Sequence, residues 1–181
     1  MKAEIKSGKG MSFFVKCCIW VTAALLYACQ TCPLLFRAQN IFSGNDAVII
    51  VGTSISALGL IIESLADYQK SAAKKKNPKR FVDTGLYRIV RCPNYFGELL
   101  IWTGIFIGGI TVYSNAFQWI AAVLGYLGIV YVMFSGARRL EERQTRTYGS
   151  EPEYQAYFKK TPILIPLVPL YSVVKWKWLV A

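Results

Sequence analysis

The sequence contains no histidine among its 181 residues. Histidine is the commonest general base in enzymes and the commonest metal ligand. Its absence excludes histidine-based acid–base catalysis and histidine-rich metal centres. Any catalysis therefore has to rely on tyrosine, glutamate, aspartate, lysine or a bound cofactor, and we predict no metal site.

Acidic residues are also scarce, with 10 Asp and Glu against 21 Lys and Arg, which gives a net charge of +11. Such an excess is typical of nucleic-acid-binding proteins, but these basic residues alternate with apolar runs and form no single stripe. Attraction to anionic lipid head groups explains most of the excess. We predict no nucleic-acid partner, and the remaining basic residues are available for a phosphorylated ligand.

Cysteine is present without forming a complete metal or redox motif. The five are Cys17, Cys18, Cys29, Cys32 and Cys92. The stretch CQTC has C-x-x-C spacing, but it has no second pair and lies inside an apolar run. We favour the interpretation that these small, polarizable side chains pack between helices.

Long apolar runs are abundant, with 54% hydrophobic and 14% aromatic residues. A bilayer span needs about 20 such residues. A soluble helical core would show polar helix faces, and AVIIVGTSISALGLII shows almost none. The first run also lacks a signal-peptide cleavage site, so we expect it to be retained. The sequence predicts an all-α, multi-pass transmembrane helical bundle in one membrane domain, 1–181, with a further cytoplasmic or interfacial C-terminal helix and four spans at about 17–36, 47–66, 93–113 and 116–136.

Basic residues predict the orientation of these spans. Four lie in residues 1–16, one between the first two spans, eight in 67–97, none in the YSN turn, six in 137–160 and two near the C-terminus. Because positive charge accumulates on the cytoplasmic side, we expect both termini, the loop 67–92 and the tail 137–181 to be cytoplasmic. The membrane itself, bacterial inner membrane or endoplasmic reticulum, is left open.

The stretch RCPNYFGELLIW places polar residues directly before the third span. Pro93 suits the first turn of a helix, and Asn94 and Glu98, four residues apart, share one face with Tyr95 beside them. The free amides at the start of that helix, with Arg91 just upstream, can seat an anion. Interfacial anchoring would explain Tyr95 but not Asn94 and Glu98 together.

Two further segments carry polar groups near the membrane. Glu63 and Asp67 share a helix face where the second span ends, and Glu63 has either a functional role or an arginine partner on a neighbouring helix. KKKNPK is predicted to form a solvated turn after that helix. Beyond the fourth span, Arg139 and Arg143 continue it as a charged helix.

Tyrosines follow among charges in YGSEPEYQAYFKK, a composition that suits base stacking and phosphate binding but also fits a generic amphipathic tail. The next stretch, TPILIPLVP, is too short and too rich in proline to span, so we expect it to lie along the interface or to cover a cavity. Gly104 and Gly108 have the G-x-x-x-G spacing that favours close helix contact.

The blocks LADYQKSAAKKK, KRFVDTGLYRIVRCPNYFGELLIWTGIFI and SGARRLEERQTRTYGSEPEYQAYFKKTPILIPLVP resemble the steroid 5-alpha-reductase superfamily, in particular its DUF1295-type branch. The resemblance covers about residues 58–169. It implies a helical membrane bundle that binds NADPH from the cytoplasmic side and reduces an activated carbon–carbon double bond. It also implies a set of cofactor-binding residues: Asp67, Lys74, Arg80, Arg91, Asn94, Glu98, Arg139, Arg143, Tyr154 and Tyr157.

Two departures from the family pattern bear on activity. Cys92 occupies the position of the family's histidine, and the N-terminal helices that supply the substrate side are expected to be missing. The leading hypothesis is an NADPH-dependent reductase of a steroid-like or other lipid enone, with Glu98 orienting the cofactor and Tyr95 polarising the acceptor. The alternatives are an S-adenosylmethionine-dependent methyltransferase of the isoprenylcysteine type and a non-catalytic, truncated cofactor-binding homologue. A further alternative is a short variant whose pocket is completed by homo-oligomerisation.

Overall fold

The computed structural model describes residues 12–40 and 46–179, which contain α-helices, 3-10 helices and no strand. Predictions that involve residues 1–11, including three of the basic residues counted for orientation, lie outside this part of the chain. The all-α prediction is confirmed within it. The described residues form five α-helices, with 3-10 turns at Gly85–Arg88 and Ile110–Val112. The α-helices are α1 (Phe13–Gln39), α2 (Asp46–Lys76), α3 (Pro93–Gly109), α4 (Ala116–Tyr148) and α5 (Pro152–Lys160).

Four of these helices are long and apolar enough to cross a bilayer. They are Phe13–Gln39, Ala47–Lys76, Pro93–Val112 and Ala116–Tyr148. Each contains or nearly coincides with one of the four predicted spans. Apolar side chains on these helices, such as Leu60 and Leu124, face outward. Four long helices with such an apolar outer surface are consistent with an integral membrane protein.

The prediction for KKKNPK was wrong at its first three residues, since α2 continues through Lys76. Lysine and the preceding alanines are good helix formers, and lysines in the last turn complement the helix dipole. The helix stops just before Asn77, because the residue that precedes Pro78 disfavours helical backbone. The three lysines at the C-terminal end of α2 therefore have fixed helical spacing.

Small residues bring α3 into close contact with α2 over the stretch from Gly52 to Glu63. A Cβ added at Gly97 would lie 2.7 Å from the backbone nitrogen of Glu63, and one at Gly59 would lie 2.6 Å from the Gly97 carbonyl oxygen. Gly104 meets α2 at Gly52 and Ser56 in the same way, whereas a Cβ at Gly108 would meet open space. A Cβ at Gly52 would nevertheless lie 2.8 Å from the backbone nitrogen of Gly108, so the G-x-x-x-G prediction of close helix contact is confirmed at both glycines.

The helices α1 and α4 pack on the other side of α3. Gly125 of α4 contacts the backbone of Cys29 and Gln30 in α1. All five cysteines are free thiols, and in the described ranges no group of three His, Cys, Asp or Glu side chains is placed to hold a metal. The cysteines of CQTC thus lie at a helix contact, as their packing interpretation requires.

The segment after α5, residues 161–179, contains no helix and packs against α3 and α4. Ile163, Leu164, Val173 and Leu179 are buried in the largest core cluster, together with Met133 of α4. The backbone of this segment also binds the start of α3, since the amides of Arg91 and Cys92 donate to the carbonyls of Pro162 and Ile163, both at 2.9 Å. We call residues 161–179 the C-terminal segment.

Candidate functional site

Three helices carry polar side chains to one end of the bundle. On α2 the polar residues are spaced by four, three and four, which places Glu63, Asp67, Lys70 and Lys74 along one helix face. The loop between α2 and α3 returns the chain so that the first turn of α3 lies beside this face. On α4 the matching stripe begins at Gly136 and continues through Arg143 to Thr147, all at helical spacing.

A cavity of about 250 Å³ lies where these stripes meet, and we call it the α2–α4 cleft. Its polar lining combines cations from both flanking helices with an amide from α3 and hydroxyl and amide groups from α4. The lining residues are Lys70, Lys74, Phe81, Val82, Tyr87, Asn94, Leu140, Arg143, Gln144, Thr147 and Tyr148. Three cations around a small cavity favour an anionic ligand.

The start of α3 points its free amides toward this end of the bundle. Cys92 is the N-cap, Pro93 is the first helical residue, and the first intrahelical bond runs from the Phe96 amide to the Cys92 carbonyl at 3.1 Å. The amides of Asn94 and Tyr95 precede that bond and have no acceptor within the helix. A helix start of this kind adds a partial positive charge to the three cations.

Tyr95 and Glu98 lie next to the cleft on α3. The ring of Tyr95 packs on Gly136 of α4, where an added Cβ would lie 3.2 Å from a ring carbon. Its electrostatic neighbours include Arg139, Arg143 and Glu98. Glu98 accepts a hydrogen bond from the indole nitrogen of Trp102 at 3.4 Å, which orients its carboxylate.

Glu63 faces two other carboxylates and no arginine. Its electrostatic neighbours are Glu98 and Asp67, and none of the ion pairs formed by the described residues includes it. Gly97 allows this approach, because α3 touches α2 at Glu63 itself. The structural alternative, an arginine partner for Glu63, is therefore not what the geometry shows.

Lys74 and Arg80 organise the loop that walls the cleft. The ammonium of Lys74 donates to the carbonyls of Pro78 at 3.2 Å and Arg80 at 2.6 Å, and to the Tyr148 hydroxyl at 3.1 Å. Arg80 pairs with Asp83 at 3.0 Å and with Glu153 at 2.9 Å. Arg80 also lines a second cavity, of about 460 Å³, that shares Phe81 and Val82 with the cleft.

Arg91 does not line the cleft but belongs to a buried cluster behind it. Its side chain is 1% exposed, its guanidinium lies 3.7 Å from the Glu141 carboxylate and 4.2 Å from the Phe158 ring centre, and it donates to the Tyr171 carbonyl. Arg138 of α4 adds bonds to the same segment. We call Arg91, Arg138 and Glu141 the C-terminal clasp.

Tyr154 and Tyr157 are likewise packed inside the protein. Tyr154 is 1% exposed and contacts the ring of Phe81, and Tyr157 stacks on Phe81 while its hydroxyl donates to the Tyr87 carbonyl at 2.7 Å. Burial raises the pKa of both phenols. These two tyrosines pack against Phe81, which lines the cleft, and do not line the cleft themselves.

Cys92, at the position where the resembled family has histidine, is buried at 2% exposure. Burial raises the pKa of its thiol to about 12, against a partial opposing effect of Arg91. The thiol therefore stays neutral at physiological pH. It contributes neither the charge nor the proton that an imidazole would supply at this position.

Four polar residues of the cleft were not among the predicted site residues: Lys70, Tyr87, Gln144 and Thr147. Helical spacing could have found three of them, because Lys70 lies between Asp67 and Lys74 on one face and Gln144 and Thr147 follow Leu140 on another. Tyr87 had no such signal. It is 5% exposed, its hydroxyl has no hydrogen-bond partner among the described residues, and burial and the nearby Asp67 raise its pKa.

Comparisons with known proteins identify the family of the chain. The family described as "Protein of unknown function (DUF1295)" matches residues 3–161, and the chain therefore belongs to it. One relative, an uncharacterized protein of Schizosaccharomyces pombe, is 33% identical over 86 residues, which are 48% of this chain and 24% of that protein. The match thus spans about a quarter of the relative's length. No solved structure matches the chain.

Proposed function

We propose that this DUF1295 protein binds NADPH in the α2–α4 cleft and reduces an activated carbon–carbon double bond in a steroid-like or other lipid enone. The observation that carries the proposal is the meeting of Lys70, Lys74 and Arg143 around Asn94 at the start of α3. Tyr95 and Glu98 lie on the same helix, one turn or less further into the bundle. The link to the steroid 5-alpha-reductase superfamily is part of this proposal and rests on the sequence resemblance.

The residues present fit the phosphate groups of a dinucleotide in charge. Ammonium and guanidinium groups pair with phosphate oxygens, and the α3 amides add donors of the same sign. The cleft, at about 250 Å³, holds only part of a dinucleotide, but the adjoining cavity of about 460 Å³ shares Phe81 and Val82 with it. Together they provide room on both sides of the loop that Lys74 holds.

When bound, NADPH would supply a hydride to the substrate. The side chains of this protein have three separate roles in the proposal. Lys70 and Arg143 bind phosphate, while Lys74, whose three N–H groups donate to Pro78, Arg80 and Tyr148, contributes its positive charge. Asn94 and Glu98 orient the reactive end, with the Glu98 carboxylate held by Trp102. Tyr95, held against Gly136, donates a hydrogen bond that polarises the carbonyl of the acceptor.

A lipid substrate is favoured because α2, α3 and α4, which carry the cleft residues, continue from the cleft as apolar helices. Outward-facing apolar side chains such as Leu60 and Ile61 of α2 favour a lipid environment for that part of the helix. A conjugated lipid ketone can therefore approach from the bilayer while the cofactor enters from water. The identity of the lipid and the stereochemistry of reduction are not part of the proposal.

The test is a fluorescence titration of the purified protein, in lipid nanodiscs, with NADPH. We expect saturable binding that weakens in Glu98→Ala, and oxidation of NADPH when an enone lipid is added. S-adenosylmethionine, added as a competitor, should leave binding unchanged. Absence of saturable NADPH binding, or displacement by S-adenosylmethionine, would overturn the proposal, and binding without enone reduction would reduce it to a cofactor-binding role.

A further inference from the structure

The C-terminal segment, predicted from sequence to be part of a cytoplasmic tail, lies beside the membrane-spanning part of α4. The Tyr131 hydroxyl donates to the Trp178 carbonyl at 3.2 Å, and the two rings are 6.1 Å apart. The rings of Phe134 and Trp176 are also 6.1 Å apart. Tyr131 precedes Arg138, the first charged residue after the apolar stretch of α4, by seven residues, or about 10 Å along the helix axis.

Non-helical backbone at this depth requires hydrogen-bond partners from the protein, because lipid supplies none. The C-terminal clasp provides them. Arg138 donates to the carbonyls of Val174 at 3.3 Å and Leu179 at 2.9 Å, and Arg91 donates to the Tyr171 carbonyl. The Glu141 carboxylate accepts from the Val173 amide at 3.1 Å. Charged side chains thus satisfy the backbone of an irregular segment at the membrane boundary.

The outer edge of the segment exposes large apolar side chains. Leu167 is 99% exposed and Trp178 is 64% exposed, and Val168 and Tyr171 are exposed between them. Leu167 has a φ of 66°, a left-handed conformation that leucine rarely adopts. In water, an edge of this composition would be an aggregation liability.

This edge is continuous with the lipid-facing surface of α4. Leu124 and Leu127 of α4 are exposed on the same helix that Trp178 contacts through Tyr131. Lys175 and Lys177 alternate with Trp176 and Trp178, and both lysines are exposed. Tryptophan favours the membrane interface, and lysine extends its ammonium from there to lipid phosphates.

From these contacts we propose that residues 165–178 insert into the lipid interface beside α4. In this arrangement the side chains of Leu167 and Trp178 contact lipid, and those of Lys175 and Lys177 bind phosphate groups of the phospholipids. The partner of this surface is the bilayer itself. The proposal is independent of NADPH binding and of any catalytic activity.

The test uses bimane attached to a single cysteine in a background whose five native cysteines are replaced by alanine, reconstituted in liposomes. The positions are Leu167→Cys and Trp178→Cys, with Glu151→Cys at the exposed turn before α5 as the matched control. We expect brominated phosphatidylcholine to quench the first two labels and aqueous iodide to quench them at least threefold less than the control. Iodide quenching equal to the control, without quenching by brominated lipid, would overturn the proposal.

A second measurement keeps the native cysteines, in case the substituted background does not fold. Brominated lipid is added to the native chain, to Trp178→Phe and to Trp102→Phe, and the quenched fraction of tryptophan emission is compared. Trp102 packs against the core cluster, so its loss should change that fraction little. A fall in Trp178→Phe supports the insertion, and an unchanged fraction in that variant contradicts it.

Discussion

The α2–α4 cleft and the C-terminal clasp contain the same kinds of side chain and use them in opposite ways. In the clasp, Arg91 and Glu141 are 1% and 0% exposed, and they bind each other and the backbone of one segment. In the cleft, Lys70 and Arg143 line an open cavity between two helices. Charged residues near the membrane boundary therefore have two distinct uses, namely hydrogen bonding to irregular backbone and, under the proposed function, binding a ligand.

The largest expected effect is a loss of unfolding free energy when a charged residue of the clasp is removed. Glu141→Ala leaves Arg91 buried without its carboxylate and removes the acceptor of the Val173 amide. Loss of one partner of a buried pair costs about 3–5 kcal/mol of unfolding free energy. Denaturant titration in detergent measures it.

The matched control is Glu142→Ala, on the next residue of the same helix. Glu142 pairs with Arg138 at 2.8 Å but is 36% exposed, so its loss should cost about 0–1 kcal/mol. Equal losses of unfolding free energy in the two variants would show that the buried pair of Arg91 and Glu141 stabilises the protein no more than the exposed pair does.

A smaller loss of unfolding free energy is expected for a substitution at the contact between α2 and α3 beside the cleft. Gly97→Ala places a Cβ 2.7 Å from the Glu63 backbone nitrogen, so α2 and α3 have to separate. Overpacking of this kind costs about 1–3 kcal/mol and should also weaken NADPH binding, because Asn94 and Lys70 move apart. Gly108→Ala, on the same helix with open space for its Cβ, should change neither the unfolding free energy nor the affinity.

The substitution Arg143→Ala tests the cleft through its affinity for NADPH and not through the free energy of unfolding. Loss of a charge-assisted hydrogen bond to phosphate should weaken NADPH binding at least about tenfold, or about 1.4 kcal/mol. Arg146→Ala, one turn further along α4 and outside the cleft lining, is the control and should bind NADPH normally. If both variants bind alike, Arg143 is not a phosphate ligand.

The smallest expected effect concerns pH. The pKa of Cys92 is raised to about 12 by burial, so the neutral thiol is favoured in the folded state. The thiol of the unfolded chain ionises near pH 8.5, and the stability linked to Cys92 is present below that pH and is lost as pH rises toward 12. The melting temperature of Cys92→Ala should fall less between pH 8 and pH 10.5 than that of the native protein, and an identical fall would contradict the neutral buried thiol.

The sequence was sufficient for the helices and for part of the cleft. Apolar run length predicted the spans, and the polar residues of PNYFGE predicted that the start of α3 faces a polar region, where Asn94 does line the cleft. Lys74 and Arg143 also line it, and the cofactor-binding role that the family resemblance implies for both stays a prediction. These residues were accessible to sequence reasoning because helical spacing fixes which side chains share a face.

Arg91 and Tyr154 show why the rest was not accessible. Both lie in motifs beside the cleft residues, but tertiary contacts bury them. Tyr154 packs against Phe81, and residues 161–179 cover Arg91, which donates to the Tyr171 carbonyl. That segment has no hydrophobic period, and its position depends on long-range bonds to Arg138 and Glu141. The role of a charge therefore depended on tertiary contacts, which residue type and spacing do not encode.

The most direct measurement of the central claim is an experimental structure of the protein in lipid nanodiscs with NADPH. The account predicts phosphate density within hydrogen-bond distance of Lys70 and Arg143, and the nicotinamide beside Glu98. Nucleotide density elsewhere, or an empty cleft at saturating NADPH, would contradict it.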